Sequence, residues 1–267
     1  MSHIDITLFW IGFWLYLASF ILFAIHAAAG WRRAGVIASV LFTGGLAMHT
    51  AGLAARWVIT THPPFSTMYE YAVTMSWVIA LSFVFFLAKF RRMTAGVIVS
   101  PVLIVVLVIA SLLPKEASKQ LMPALQSYWF YIHVSIAAIS EGAFLVAAGA
   151  GVFHLLRRTD EGGRLPPREL LEEIISRSIR FGYPLFFIGA LFAGAVWASS
   201  AWGRFWSWDP KETGALVIWL YYTLVLHQDI RGAWTGRRLA IASIVGLAII
   251  LFSFLGNLFL GGLHAYI

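Results

Sequence analysis

The sequence has no cysteine and few charged residues. The lack of cysteine in its 267 residues excludes disulfide bonds and thiolate-ligated metal sites. Charged residues make up 12% of the chain, about half of the roughly 25% found in a typical soluble domain. The first 31 residues contain neither lysine nor arginine, so we expect no cleavable signal peptide, which would begin with positive charge.

Long apolar runs fill most of the chain instead, and 60% of its residues are hydrophobic. A helix needs roughly 20 apolar residues to cross a bilayer core. Eight runs approach or exceed that length: 5–29, 34–55, 68–88, 95–113, 128–156, 181–199, 214–229 and 237–260. We therefore predict an all-α, polytopic integral membrane protein with about eight transmembrane helices in one domain, 1–267. Residues 169–175 are amphipathic at helical spacing and are expected to lie on the cytoplasmic surface.

The basic residues fall in alternate loops between these runs. One set of loops holds only five of the 19 lysines and arginines, leaving 14 for the other set. The five are Arg56, Lys115, Lys119, Arg204 and Lys211. Because basic loops stay on the cytoplasmic side, both termini are predicted on the outer side. The net charge of +7 then reflects membrane topology, and no nucleic-acid partner is expected.

An aromatic segment at residues 197–213 separates the sixth and seventh runs. It contains Phe205 and four tryptophans: Trp197, Trp202, Trp206 and Trp208. The simpler interpretation is a belt of interfacial aromatics. Four tryptophans followed by a defined polar tail exceed what such a belt usually supplies.

The polar tail has the pattern of a helix start. Asp209 suits the N-cap, Pro210 suits the first helical position, and Glu212 can complete a capping box. Aromatic faces stack on planar ligands, and a helix start beside Lys211 and Arg204 suits carboxylates. A flat macrocycle with two propionates satisfies both features, whereas a quinone satisfies only the first.

Two of the eight histidines are expected at the level of the aromatic segment. His133 lies near the start of the fifth run, and His264 lies just beyond the last. Two neutral imidazoles can supply both axial ligands of six-coordinate haem iron. His227 follows Asp209 by 18 residues, about 27 Å along a helix, and therefore needs a separate site.

For the other histidines a packed, hydrogen-bonded side chain is the simplest interpretation. It is adopted for His3 and His154, while His26, His49 and His62 are left undecided. His26 is the other histidine expected at the depth of His227. Glu141 in the fifth run is interpreted as a satisfied polar group between helices.

Several segments carry a resemblance to known families. Trp202-Gly203-Arg204-Phe205-Trp206-Ser207-Trp208-Asp209 resembles the WWD motif of haem-handling proteins. Four further segments are similar to the CcsA (ResC) family of system II cytochrome c biogenesis: 64–70, 219–222, 226–227 and 261–266. Within the first of these, Phe65, Thr67 and Met68 depart from the family pattern. The likeness covers most of residues 50–267. Three features favour CcsA over the six-helix exporter CcmC. They are the residues 210–213 (Pro-Lys-Glu-Thr) directly after the WWD motif, the eight apolar runs and His227.

The resemblance implies two haem sites. At the outer face His133 and His264 would ligate the iron of haem b. The residues expected around that haem are Trp202, Trp206, Trp208, Asp209, Arg204 and Lys211. At an inner site His227 would pair with a histidine of a CcsB/ResB-like partner.

The resemblance also implies a function in a complex. A CcsB/CcsA synthase would deliver haem outward and attach it to the Cys-x-x-Cys-His segment of apocytochrome c, with a thioredoxin-like protein as a further partner. No general-base constellation is visible, so synthase activity is expected of the complex alone. A bacterial plasma membrane is expected rather than a thylakoid. A CcmC-type exporter or chaperone, a HemX-like regulator and a quinone-binding redox subunit remain alternatives.

Overall fold

A computed structural model describes residues 3–90, 93–117, 119–157, 166–260 and 262–264. These residues are mostly helical and contain no strand. Seven helical segments among them are long and apolar enough to cross a membrane: Ile4–Ala29, Arg32–Thr60, Met68–Phe85, Met93–Leu112, Tyr128–Leu156, Arg168–Trp202 and Gly236–Phe254. The prediction of an all-α polytopic membrane protein is confirmed, while the orientation of its termini stays a prediction.

Most helices follow the predicted apolar runs closely, and the sixth run is the exception. The helices are α1 (Ile4–Ala29), α2 (Arg32–Thr60), α3 (Met68–Phe90), α4 (Gly96–Leu112), α5 (Tyr128–Leu156), α6 (Arg168–Phe186), α7 (Gly194–Trp202), α8 (Pro210–Ile230) and α9 (Gly236–Leu260). The predicted run 214–229 forms α8, which is outside the set of seven. Polar residues at both of its ends, among them Lys211 and Asp229, dilute its apolar character.

Residues 168–202 form one continuous helical segment, although the sequence predicted only 181–199 as a membrane run. A π-helical stretch, Phe187–Ala193, joins α6 to α7. The amphipathic residues 169–175, expected on the cytoplasmic surface, are the first turns of α6. Leu171, Ile175 and Ile179 are fully buried, because α6 packs against α5.

The chain divides into two compact units. The first comprises Met1–Gln120 and Arg157–Pro167, and the second comprises Leu121–Leu156 and Arg168–Ile267. In the first unit α1 packs against α2 and α4, and α3 packs against α2 and α4. In the second unit α5 packs against α6 and α9, and α8 packs against α6 and α9. The prediction of one membrane domain stays a prediction.

A buried ion-pair network lies in the first unit. Arg56 Nε donates to Glu70 Oε1 over 2.8 Å, and Nη1 donates to Asp5 Oδ2 over 3.1 Å. The same guanidinium donates to the carbonyls of Lys115 (2.8 Å) and Glu116 (2.6 Å). Arg56, Asp5 and Glu70 are all buried. One side chain thus joins the start of α1, the end of α2, the start of α3 and the segment after α4.

Four histidines outside the candidate site are hydrogen-bonded within the fold. His49 contacts the carbonyl of Val73 (3.1 Å), His62 that of Pro63 (3.1 Å), and His26 that of Trp31 (3.2 Å). His154 pairs with Glu172 over 3.2 Å. These contacts favour the packed-histidine interpretation for all four.

Candidate functional site

Trp197 is the buried centre of the candidate site in the second unit. Its side chain on α7 is 1% exposed, and its Nε1–H donates to the carbonyl of Ala124 over 2.7 Å. Trp202, at the end of α7, meets it edge-on with ring centroids 4.8 Å apart. Trp197 was expected in the aromatic segment, but no ligand-binding role was predicted for it. Its hydrogen-bond partner, Ala124, lies 73 residues away in sequence. No pattern in the neighbouring residues therefore predicts the burial of Trp197.

His133, on α5, stacks on this tryptophan. The two rings are nearly parallel, at 6°, with centroids 5.7 Å apart. His133 Nδ1 lies 2.9 Å from the carbonyl oxygen of Gly189. Because a carbonyl only accepts hydrogen bonds, Nδ1 carries the proton and the lone pair is on Nε2. The α5 histidine is therefore held in the tautomer that suits metal ligation through Nε2.

The π-helical stretch supplies that carbonyl. Gly189 lies in the π-helix, and its oxygen also accepts the backbone N–H of Gly194. A side chain would overlap a neighbour at Gly189 and would crowd the His133 ring at Gly194. A Cβ on Gly189 would lie 2.7 Å from Ile136 Cβ, and one on Gly194 would lie 3.0 Å from the His133 ring. The absence of both side chains lets the π-helix approach α5 and His133.

His264 reaches the same indoles from beyond the end of α9. Its ring centroid lies 5.4 Å from that of Trp197 and 4.8 Å from that of Trp202. Its Nδ1 lies 2.8 Å from Asp209 Oδ1. This carboxylate fixes the proton on Nδ1, and the Nε2 lone pair again suits a metal. The structure thus brings His133 and His264, from two separate segments, to one buried tryptophan.

Asp209 begins α8 as the sequence predicted. It is the N-cap, and the reciprocal capping box with Glu212 is present. Asp209 Oδ1 accepts from Lys211 N over 2.9 Å, and Oδ2 accepts from Leu263 N over 2.6 Å. Burial favours a raised pKa for the Asp209 carboxyl, but hydrogen bonds from His264, Lys211 and Leu263 outweigh it and hold the pKa below its usual value. Burial lowers the pKa of His264, opposed by its hydrogen bond to Asp209.

The capping box changes one expectation about anion binding. Glu212 Oε2 accepts from Ser207 N (2.7 Å) and Asp209 N (3.3 Å), while Asp209 accepts from Lys211 N. The amide groups at the start of α8, expected to receive a ligand's carboxylates, are thus bonded to side chains of the chain itself. The side chains of Lys211 and Arg204 remain as the candidate cationic groups. Lys211 lies within electrostatic range of Glu141 and Asp209, and Arg204 is exposed.

Trp206 and Trp208 form a second aromatic pair. Their rings meet edge-on with centroids 5.7 Å apart. Trp208 is 68% exposed and has a left-handed backbone, with φ +60°, which is strained for so bulky a residue. Within the predicted loop 197–213, the non-helical part is limited to 203–209.

His227 lies far from this aromatic cluster along α8. It is exposed in the last turn of the helix, whereas Asp209 caps the first. The 18 residues between them correspond to about 27 Å of helix, as expected. The structure therefore keeps His227 apart from the pair His133 and His264.

Comparisons with known proteins identify relatives along most of the chain. Residues 65–264 match the family described as Cytochrome C assembly protein. The chain is 33% identical over 241 residues to the cytochrome c biogenesis protein CcsA of Guillardia theta, covering 80% of each chain. It is 31% identical over 276 residues to CcsA of Parasynechococcus marenigrum (strain WH8102), covering 91% of this chain and 90% of the relative.

The fold is also similar to that of a solved structure. The cytochrome c haem lyase CcmF matches with a TM-score of 0.69 at 15% identity, over 96% of this chain and 49% of that chain. This chain thus spans about half the length of that lyase, and the likeness concerns the fold. The CcsA relatives agree with the family resemblance of the aromatic segment. The chain belongs to the cytochrome c assembly protein family and, within it, to the CcsA proteins.

Proposed function

We propose that this protein binds haem at His133 and His264 and presents it for attachment to apocytochrome c, as the CcsA subunit of a CcsB/CcsA-type synthase. The observation that carries the proposal is the meeting of the two imidazoles at Trp197, with centroid distances of 5.7 and 5.4 Å. Both rings have Nδ1 bonded to an oxygen, which leaves each Nε2 with the lone pair that iron requires.

The surroundings suit a flat, partly apolar substrate such as haem b. Trp202 contacts His264 at the site, and Trp208, paired edge-on with the half-buried Trp206, adds exposed aromatic surface nearby in sequence. Aromatic faces stack on a porphyrin ring. Lys211 and Arg204 supply positive charge for the two propionates, which a quinone would not need.

A second haem position is proposed at His227. This side chain is exposed near the far end of α8, about 27 Å from the helix start. A histidine of a CcsB/ResB-like partner would complete its ligation. Haem would enter at this inner site and move to the outer site, in the plasma membrane of a bacterium.

The attachment step requires positioning rather than an acid–base group of this chain. The histidine of the Cys-x-x-Cys-His segment displaces one imidazole from the iron. Each thiol then adds across a haem vinyl group: a carbon–sulfur bond forms, the thiol hydrogen moves to the neighbouring vinyl carbon, and no net oxidation occurs. The two thiols must be reduced beforehand, which a thioredoxin-like partner would ensure. The chain has no cysteine that could form a mixed disulfide with them.

A pyridine haemochrome assay on the purified protein tests the ligand assignment. His133→Ala and His264→Ala should each lose most of the bound haem, because each removes one of two iron ligands. His154→Ala is the matched control, since His154 pairs with Glu172 elsewhere in the same unit. Full haem content and an unchanged bis-imidazole spectrum in both ligand variants would refute the assignment.

The same material separates the synthase from its alternatives. In a complex purified with a CcsB-like partner, His227→Ala should reduce the haem content. Unchanged loading with no co-purifying partner would favour a CcmC-type exporter. A wild-type protein with no Soret absorption would favour a quinone-binding subunit.

A further inference from the structure

We propose that Asp209 is a positioning residue for haem ligation, whose hydrogen bond makes His264 the more firmly held of the two iron ligands. The inference rests on the proposed function and assigns the two histidines unequal roles. Its consequence is that the apocytochrome histidine displaces His133.

Hydrogen-bond donors from two segments distant in sequence converge on Asp209. Lys211 N and His264 Nδ1 donate to Oδ1 over 2.9 and 2.8 Å, and Leu263 N donates to Oδ2 over 2.6 Å. The side chains of His264 and Asp209 are only 10% and 2% exposed. A hydrogen bond shielded from water in this way is electrostatically stronger than one at the surface. Asp209 thus ties the start of α8 to the segment after α9 and sets the orientation of the His264 ring.

Gly262 allows this close approach. Its φ is +116°, and a Cβ at this position would overlap Asp209 Oδ2 and lie 2.9 Å from Pro210 Cδ. A residue with a side chain would therefore push the segment 262–264 away from the carboxylate. The lack of a side chain at Gly262 therefore allows both Leu263 N–H and His264 Nδ1–H to reach Asp209.

The two histidines differ in the acceptor that holds Nδ1. His264 donates to a carboxylate, whereas His133 donates to the neutral carbonyl of Gly189. A carboxylate acceptor raises the basicity of a metal-ligating imidazole more than a carbonyl does. The iron–His264 bond is accordingly the stronger one, and His133 is the ligand that gives way.

The first test replaces the carboxylate and keeps a capping side chain. Asp209→Asn should shift the reduction potential of the bound haem to more positive values and lower haem retention about tenfold. Glu212→Gln is the matched control, because Glu212 belongs to the same capping box but bonds to Ser207 and Asp209. It should keep the wild-type potential.

The outcomes distinguish the two proposals. An unchanged potential and haem content in Asp209→Asn, beside a haem-loaded wild type, would overturn the role of Asp209 and leave the proposed function standing. An equal shift in Glu212→Gln would also overturn it, since a capping effect would then explain both variants. A wild type without haem would remove the proposed function itself.

A second test leaves Asp209 intact, in case its variants do not fold. In His264→Ala, added imidazole can ligate iron and donate its N–H to Asp209, whereas 1-methylimidazole can ligate iron but has no N–H. Imidazole should restore the bis-imidazole spectrum of His264→Ala at a concentration about tenfold lower than 1-methylimidazole requires. His133→Ala should show a smaller difference between the two compounds. Equal restoration of His264→Ala by both compounds would overturn the inference.

Discussion

The imidazole of His133 lies parallel to the indole of Trp197, with 6° between the ring planes and 5.7 Å between their centroids. The indole itself is fixed by its hydrogen bond to Ala124, and the imidazole by its bond to Gly189. Each ring is therefore held by one hydrogen bond to a backbone carbonyl and by the stacking contact between the two rings. The position of the histidine depends on the tryptophan as much as on its own helix.

Replacing Trp197 with phenylalanine should weaken both the fold and the site. The change removes the Nε1–H donor, leaves the Ala124 carbonyl without it, and leaves space beside His133 and His264. We expect a loss of about 1–3 kcal/mol in the free energy of unfolding, measured by chemical denaturation in detergent. Haem content should fall in the same variant.

Trp208→Phe provides the control for stability, because Trp208 is 68% exposed. Its free energy of unfolding should stay within about 0.5 kcal/mol of the wild type. An equal loss in both variants would show that the burial of Trp197 and its hydrogen bond do not determine its contribution to the free energy of unfolding.

Removing the guanidinium of Arg56 should destabilise the first unit strongly. Arg56→Ala leaves Asp5 and Glu70 buried without their shared cation, which typically costs about 3–5 kcal/mol. Arg56→Lys should recover only part of this loss, since an ammonium cannot reproduce the planar fork that reaches four partners. Thermal unfolding in detergent measures both variants.

Arg177→Ala is the comparison for that experiment. Arg177 pairs with Glu173 one helical turn away, and their side chains are 70% and 48% exposed. Such a pair contributes about 0.3–0.5 kcal/mol. A melting temperature lowered equally by the Arg56 and Arg177 variants would contradict the importance of the buried network.

Gly262→Ala should detach His264 from Asp209. The added Cβ overlaps the carboxylate, and φ is +116°. We therefore expect a haem content as low as that of His264→Ala in the pyridine haemochrome assay. Gly203→Ala separates the two causes, because Gly203 has φ +74° with no atom within 4 Å of the added Cβ. If it depleted haem equally, backbone strain alone would account for the effect.

Local features of the site were predictable from the sequence. The capping box of Asp209 and Glu212 depends on residues three apart, so the segment itself specifies it. A common level for His133 and His264 was expected because His133 lies near the start of one apolar run and His264 just beyond the end of another, and a membrane orders residues by depth.

Other features depend on contacts that no short segment contains. Trp197 is buried by partners distant in sequence. The local sequence around it therefore does not distinguish it from the exposed Trp208. The amphipathic residues 169–175 have the same pattern whether their apolar face meets lipid or α5. The π-helix likewise has no distinctive composition, since it differs from an α-helix only in its hydrogen-bond register.

That register has a consequence for how the chain tolerates changes in length. A π-helix carries about one more residue in each turn than an α-helix, so losing one residue from Phe187–Ala193 would let this stretch adopt α-helical hydrogen bonds without a large rotation of α7. The Gly189 carbonyl, which accepts from Gly194 N–H five residues on and from His133, would then accept from an N–H four residues on. The hold on the His133 imidazole would therefore change, even though every side chain of the site was still present.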